Sequence, residues 1–171
     1  MGQGLADWMQ ERFGATVEWL PFDLHPEYPP EGVPRSPERA ARGAELFERY
    51  GLEYDPPPVS PRSLDALRLT EHARERGLHA PFHDRLMDAY WTEAQDLGDH
   101  EVLRRLADEV GLDGADEILA SDRYADHVAR STAAAHSMGI NGIPAFLLDR
   151  RLLVLGAHPR EAFEQAFAQL E

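Results

Sequence analysis

Residues 139–144, with the sequence Gly-Ile-Asn-Gly-Ile-Pro, offer main-chain rather than side-chain chemistry. Pro144 ends this segment, and the apolar run 146–148 follows almost at once. Proline has no N–H to give to a strand ladder, so at the mouth of a strand it requires a turn, a sheet edge or a cis bond. The pattern therefore predicts a functional rim at Pro144.

The histidines do not form a recognisable metal motif. Of the eight in the chain, His79 and His83 are close in sequence, but Pro81 lies between them and argues against a shared helical face. His127 and His136 would lie about 180° apart on one helix. Cysteine and the His-Glu-x-x-His pattern are both absent from the sequence, and these supply the common zinc ligands. We predict no metal site.

No side chain in the sequence is convincing as a catalytic nucleophile. Ser60, Ser63 and Ser137 stand in helix-capping or helix-end contexts, and no Gly-x-Ser-x-Gly elbow surrounds any of them. The chain contains no cysteine, and disulfide exchange requires a thiolate that attacks sulfur. We therefore assign no catalytic residue in this sequence.

The elements around Pro144 have a clear order. A long Ala-rich helical pattern from Asp122 to about Ser137 comes before it. The apolar runs 146–148 and 152–155 are separated by a short polar break, and a final helix begins near Arg160. Run length and periodicity thus predict helix, strand, tight turn, strand and helix.

The beginning of the chain has its own pattern. Residues 3–13 carry apolar side chains at helical spacing, and Gly14 is a plausible stop. Residues 16–22 alternate like a strand with apolar residues on both faces, which predicts a strand covered on both sides. A Pro-rich loop follows at residues 25–34.

The middle of the chain reads as a series of helices joined by short breaks. A stiff segment, polyproline-like because of its sequence Asp-Pro-Pro-Pro-Val-Ser-Pro, connects two of them at residues 55–61. Cap residues and apolar periodicity place the helices at 36–50 after Ser36, 63–77 after Ser63, from Pro81 through Trp91, 100–110 after Asp99, and 113–119.

This order of elements resembles the FrnE-like branch of the DsbA family of thioredoxin-like proteins. The pattern Gly-Ile-x-Gly-Ile-Pro-x-Phe at residues 139–146 and the strand that breaks into a Pro-rich loop near His25 carry the resemblance. It implies an α/β thioredoxin-like fold that is mostly helical by content, with residues 1–34 and 139–171 forming the thioredoxin-like domain. Residues 35–138 would form a large all-helical insertion.

The resemblance also shows what this sequence lacks. In the family a first strand and a Cys-x-x-Cys motif precede the first helix, and residues 1–3 resemble the segment just after that motif. Either the first strand and both cysteines belong to a longer protein, or the chain is a redox-inactive relative. The abrupt start of the match at Met1 favours the first alternative.

The resemblance implies a substrate-docking role for three residues. The equivalent of Pro144 is cis in the family, the residue before it, Ile143, would offer its N–H and C=O to an extended peptide, and Gly142 would allow close backbone approach. The family function is thiol–disulfide oxidoreduction on protein or peptide substrates. Two alternatives remain open: a non-catalytic module that binds peptides or glutathione, and a glutathione-dependent enzyme like 2-hydroxychromene-2-carboxylate isomerase or kappa-class glutathione transferase. No other cofactor is expected.

Composition restricts the partners. The chain has 171 residues and a net charge of −14, which argues against nucleic acid and anionic membrane surfaces, since both attract positive patches. No apolar run approaches the ~20 residues of a membrane span, and no signal peptide is visible, so we expect a cytoplasmic location.

Absence of the first strand would leave two sheet edges unpaired, and a homodimer that covers them is one hypothesis.

Overall fold

A computed structural model describes residues 2–170, and over that range the chain forms eight α-helices and four short strands. The helices are α1 (Gly2–Phe13), α2 (Pro37–Arg49), α3 (Leu64–Glu75), α4 (His79–Thr92), α5 (His100–Glu109), α6 (Ala115–Leu119), α7 (Ala125–Ser137) and α8 (Arg160–Ala168). The strands are β1 (Val33–Pro34), β2 (Val59–Ser60), β3 (Ala145–Leu148) and β4 (Leu152–Leu155). The mostly helical content agrees with the fold class expected from the sequence.

The chain divides into two compact units. The first unit combines the residues up to Leu20 with those from Ala133 onward, and the second is Pro21–Thr132. The ends of the chain thus share one unit, and the run of helices between them forms the other. The assignment of residues 1–34 and 139–171 to a thioredoxin-like domain, with 35–138 as an insertion, stays a prediction.

The first unit is built around the hairpin of β3 and β4. The strands are antiparallel, with Phe146 opposite Val154 and Leu148 opposite Leu152. Asp149 and Arg150 form the turn with φ of +48° and +54°. Two consecutive residues with positive φ are typical of the tight turn that matches the twist of a hairpin.

One face of this hairpin is buried against α1 and α8. Phe163 of α8 is fully buried, and its ring meets that of Phe146 edge to face at a centroid distance of 5.0 Å. Phe13 at the end of α1 stacks on Phe167 at 4.1 Å. Because side chains alternate across a strand, this packing uses every second residue of the hairpin; the hairpin members of the cluster are Phe146, Leu148, Leu152 and Val154.

The second unit has a separate apolar core. Its fully buried members come from α3, α4, α5 and α6 and include Leu69, Phe82, Leu103, Leu106 and Ile118. The N-caps of two of its helices form as the sequence predicts. The Asp99 carboxylate accepts from the Glu101 N–H at 2.8 Å at the start of α5, and the Ser36 hydroxyl accepts from the Arg39 N–H at 3.2 Å at the start of α2.

A buried arginine completes the end of α6. Arg68 is 4% exposed, and its guanidinium donates to the carbonyls of Ile118, Ser121 and Arg123 while pairing with Asp65. The last carbonyls of a helix lack partners within the helix. A cation placed there satisfies them and complements the negative end of the helix dipole.

The prediction of a strand at residues 16–22 is wrong, because no residue from 14 to 23 is assigned to a strand. The alternation of exposure does appear, with Val17 and Trp19 half-buried and Glu18 exposed. Leu20, however, is 65% exposed, so the segment is not covered on both sides. A strand is defined by hydrogen bonds to a neighbouring strand, and the side-chain pattern records only burial.

Several helix starts also differ from the sequence-based expectations. Helix α4 begins at His79 rather than at Pro81, helix α6 at Ala115 rather than Asp113, and helix α7 at Ala125 rather than directly after Asp122. Ser63 precedes α3, but its side chain makes no cap; its hydroxyl donates instead to the Asp23 carboxylate at 3.3 Å.

The polyproline-like segment leads into a pairing that the sequence did not indicate. Val59 and Ser60, which form β2, pair antiparallel with Val33 and Pro34 of β1. The N–H of Arg35 also donates to the Pro58 carbonyl at 2.8 Å. Runs of two residues are too short to give any periodicity, so the pairing had no detectable signal.

Candidate functional site

An open concavity of about 360 Å³ lies in the first unit, beside the start of β3. One wall is the loop between α7 and β3, and the other is the end of β4. The lining consists of Gly139, Asn141, Gly142, Ile143, Pro144, Leu155 and Gly156, none of which carries a charged side chain.

The first wall is held by the end of α7. Gly139 takes a φ of +81°, which ends the helix as glycine commonly does. The next residue, Ile140, is 7% exposed, and its N–H donates to the Ala135 carbonyl at 3.0 Å. The loop therefore turns away from α7 at a defined point and places Asn141 and Gly142 at the surface, where both are exposed.

Polar side chains fix this loop further. The Nδ1 atom of His136 lies 3.1 Å from the Ile140 carbonyl oxygen and 3.2 Å from Asn141 Oδ1. The Asn141 side-chain amide donates to the Gly139 carbonyl at 3.2 Å. A ring Nδ1–H that donates to the Ile140 carbonyl ties the loop to the last turn of α7.

The second wall is connected to Pro144 through the hairpin. Gly156, with φ of +90°, donates its N–H to the Pro144 carbonyl at 2.8 Å. The Nε2 atom of His158 lies 2.9 Å from the Leu155 carbonyl oxygen. The carbonyl of Pro144 is thus engaged within the hairpin and is directed away from any ligand in the concavity.

Pro144 follows a cis peptide bond and lies beside the start of α1. A Cβ atom added to Gly2 would be 3.3 Å from the Pro144 Cβ, so Gly2 packs directly on the proline ring. The first turn of α1 contains no acidic residue. The positive end of that helix dipole therefore faces the neighbourhood of Pro144 without a compensating carboxylate from its own first turn.

Ile143 is an accessible part of the site. Its residue is 60% exposed, and within residues 2–170 neither its N–H nor its C=O has a hydrogen-bond partner. An exposed main-chain donor and acceptor in a concave, uncharged surface can pair with the main chain of another extended segment. This arrangement can therefore bind an extended segment through main-chain hydrogen bonds.

The structure places Gly142, Ile143 and Pro144, the three residues predicted from the sequence, together on this concavity. Their role in substrate binding stays a prediction. Sequence reasoning did not identify Leu155 and Gly156 as part of the lining. It also did not identify the contact of His136 with the loop, because a hydrogen bond between helix end and loop leaves no periodic signal.

His79 and His83 lie outside this site. Both belong to α4, although Pro81 between them argued against a shared helical face. Since α4 begins at His79, Pro81 stands in the first turn, where a missing N–H removes no helical hydrogen bond. The two rings lie 5.8 Å apart and nearly parallel. Burial, assisted by the positive charges of Arg74 and His83, lowers the pKa of His79 to about 4, and burial also lowers the pKa of His83.

Among residues 2–170 there is no group of three or more His, Cys, Asp or Glu side chains that could hold a metal ion. No helix in the same range is long and apolar enough to cross a membrane.

A hairpin entered through a cis-proline, packed on one face by an N-terminal and a C-terminal helix, places the chain in the thioredoxin-like class. The model of the DsbA-like thioredoxin domain family matches residues 3–168. The chain therefore belongs to this family, and the fold class expected from the sequence is confirmed.

Individual relatives agree with this assignment. The chain is 30% identical over 162 residues to the uncharacterized protein YwbO of Bacillus subtilis, an alignment that covers 89% of this chain and 80% of the relative. It is 29% identical to a probable DsbA oxidoreductase from Streptomyces coelicolor, whose crystal structure superposes with a TM-score of 0.86 over 98% of this chain and 82% of that one.

Two more distant structures share the fold. A putative protein disulfide isomerase from Nitrosomonas europaea is 18% identical with a TM-score of 0.74, over 97% of this chain and 87% of that chain. A 2-hydroxychromene-2-carboxylate isomerase is 17% identical with a TM-score of 0.73, over 99% of this chain and 87% of that chain. At such identities the likeness concerns the fold alone.

Proposed function

We propose that this chain carries the substrate-docking part of a DsbA-type thiol–disulfide oxidoreductase site, and that it binds extended peptides through the main chain of Ile143. The observation that carries the proposal is that the N–H and C=O of Ile143 are exposed at the concavity and have no hydrogen-bond partner among residues 2–170. Membership of the family and the 29% identity to a probable DsbA oxidoreductase support the same substrate class.

The polypeptide does not itself exchange disulfides in this proposal. Exchange requires a thiolate, and the sequence contains no cysteine. Binding and chemistry are therefore separable here, and a docking assay is more informative than an activity assay. We expect no reduction of insulin by this polypeptide.

The lining of the concavity favours a peptide over glutathione. Glutathione carries two carboxylates and an ammonium group, and their desolvation needs charged partners. None of the lining residues is charged, and the chain has a net charge of −14 that repels an anionic ligand. The main chain of an internal peptide segment brings no such charges.

The test is a titration of ¹⁵N-labelled protein with the S-methylated B chain of insulin, a flexible peptide whose thiols are blocked. We expect amide shifts concentrated at Gly142, Ile143, Leu155 and Gly156. Glutathione serves as the competitor and should cause no comparable change. Shifts that spread evenly over both units, or that leave Ile143 unmoved, would contradict the proposal.

Two substitutions at one position separate main-chain from side-chain recognition. Ile143→Pro removes the N–H, and we expect it to weaken peptide binding by about tenfold. Ile143→Ala keeps the N–H and C=O and should change affinity much less. Circular dichroism establishes that both variants fold. If Ile143→Ala weakened binding more than Ile143→Pro, the ligand would be recognised through the side chain instead.

A further inference from the structure

Asn141 is the only asparagine among the 171 residues of the sequence, and a glycine follows it. This Asn-Gly step lies on the loop between α7 and β3, and both of its residues are exposed. Asparagine is a chemically labile residue. The main-chain nitrogen of the next residue can reach its side-chain carbonyl carbon, and a glycine there has no Cβ to obstruct the approach. The step is therefore a candidate for covalent change of the protein itself.

The fold does not account for the glycine at position 142. Gly139 takes a φ of +81°, but Gly142 is not among the residues with positive φ. A Cβ added to Gly142 would meet no heavy atom within 4 Å apart from its chain neighbours. A left-handed backbone and a crowded Cβ are the two conditions that ordinarily require glycine, and neither holds here. Alanine would fit at this position.

The nucleophile of such a reaction is not engaged by the surrounding structure. Among residues 2–170, no main-chain or side-chain acceptor bonds to the Gly142 N–H. The residue is exposed, so water also reaches it. A nucleophile already joined to its target reacts far more readily than one that must diffuse to it.

Two contacts orient the carboxamide of Asn141. Its Nδ2 donates to the Gly139 carbonyl at 3.2 Å, which leaves Oδ1 toward His136. The Nδ1 atom of His136 lies 3.2 Å from this Oδ1 and 3.1 Å from the Ile140 carbonyl oxygen. Because both partners are oxygen acceptors, Nδ1 carries the hydrogen. It therefore donates to the atom on which negative charge develops when a nucleophile adds to Cγ.

We propose that Asn141 deamidates in the folded protein through attack of the Gly142 nitrogen on its Cγ, with His136 as the hydrogen-bond donor to Oδ1. The N–Cγ bond forms and the Cγ–Nδ2 bond breaks. Nδ2 leaves as ammonia together with the proton of the Gly142 N–H. Water then opens the succinimide ring: cleavage at Cγ gives aspartate, and cleavage at the main-chain carbonyl carbon gives isoaspartate.

Both products change the candidate site. The lining of the concavity carries no charged side chain, and deamidation adds a carboxylate at position 141. The product also lacks the amide that donates to the Gly139 carbonyl. Isoaspartate further inserts a methylene carbon into the main chain between α7 and Pro144. The inference goes beyond the proposed function and holds whether or not the concavity binds peptides.

The test is incubation of the folded polypeptide in mildly alkaline buffer, followed by proteolysis and mass spectrometry of the peptides. We expect the peptide that contains residue 141 to accumulate a deamidated form, with isoaspartate present beside aspartate. Isoaspartate is diagnostic, because direct hydrolysis of the carboxamide gives aspartate alone. An intact Asn141 in the folded protein, under conditions in which the urea-unfolded chain is modified, would overturn the inference. Aspartate without isoaspartate would overturn it as well.

Gly142→Ala separates the chemistry from the fold. The added methyl group obstructs the approach to Cγ, so we expect deamidation to slow by about tenfold or more. The open surroundings of Gly142 should preserve the fold, which circular dichroism and urea unfolding verify. Equal rates in the parent and in this variant would refute attack by the Gly142 nitrogen.

His136→Ala tests the hydrogen bond to Oδ1. Rates are measured in native buffer and in urea, because the contact belongs to the folded chain. We expect the ratio of the folded rate to the unfolded rate to fall by about tenfold. His136→Asn, whose side-chain amide can donate in place of Nδ1–H, should restore part of the loss. A ratio that is unchanged or raised in His136→Ala would overturn the role assigned to His136.

Discussion

Replacement of Gly43 by alanine is the sharpest test of packing in the second unit. Gly43 lies inside α2, where alanine is ordinarily the better residue by about 1 kcal/mol. A Cβ at this position would, however, lie 2.5 Å from the Tyr54 Cζ and 2.8 Å from its Cε2. The aromatic ring thus rests directly on the backbone of the helix.

The ring has little room to move away. Its centroid lies 4.9 Å from that of Phe47 and 5.9 Å from that of Trp91. Overpacking of this kind costs about 1 to 3 kcal/mol, which exceeds the gain in helix propensity. We therefore expect Gly43→Ala to lower the free energy of unfolding by about 1 kcal/mol.

Gly4→Ala is the matched control. Gly4 lies in α1, and no heavy atom is within 4 Å of a Cβ added there, so only the propensity gain remains. We expect this variant to be up to about 1 kcal/mol more stable than the parent.

The assay is urea unfolding followed by circular dichroism, extended to a double-mutant cycle with Tyr54→Ala. Once the ring is removed, Gly43→Ala should become stabilising. The reasoning is refuted if Gly43→Ala stabilises the protein as much as Gly4→Ala does, or if its effect is the same with and without Tyr54.

Three further perturbations test other parts of the structure. His79 has a pKa lowered from 6.5 to about 4, so the unfolded chain binds a proton first as the pH falls, and stability present above pH 6.5 is lost toward pH 4. Between pH 7 and pH 4.5, His79→Gln should gain about 1 to 3 kcal/mol relative to the parent in urea titrations. Asp99→Ala removes the N-cap of α5 and should cost about 1 kcal/mol in the same assay, while Asp99→Asn, which keeps a capping oxygen, should cost much less. Phe163→Ala empties a fully buried site and should lower stability by about 3 to 5 kcal/mol in thermal unfolding; a loss below 1 kcal/mol would show that the hairpin is not held by α8.

The site and the fold were predictable to different extents. The segment around Pro144 was identified from its residues, because a Gly-rich loop and a proline before an apolar run leave few conformations. The hairpin was equally clear, since Asp149 to Arg151 form a polar break between two apolar runs of strand length. The prediction of a strand at residues 16–22 was wrong, because alternation of side chains shows which face is buried but not whether another strand is hydrogen-bonded to the segment.

The class of fold followed from the resemblance of this sequence to the DsbA family. The position of the hairpin and the lack of a thiol within these residues followed from local residue types. The contacts around the site, by contrast, follow from the fold of residues 2–170. The contact of Gly2 with Pro144 joins residues far apart in the chain, and the exposure of Ile143 depends on how the surrounding segments pack. Such relations depend on the packing of distant segments, which no local pattern records.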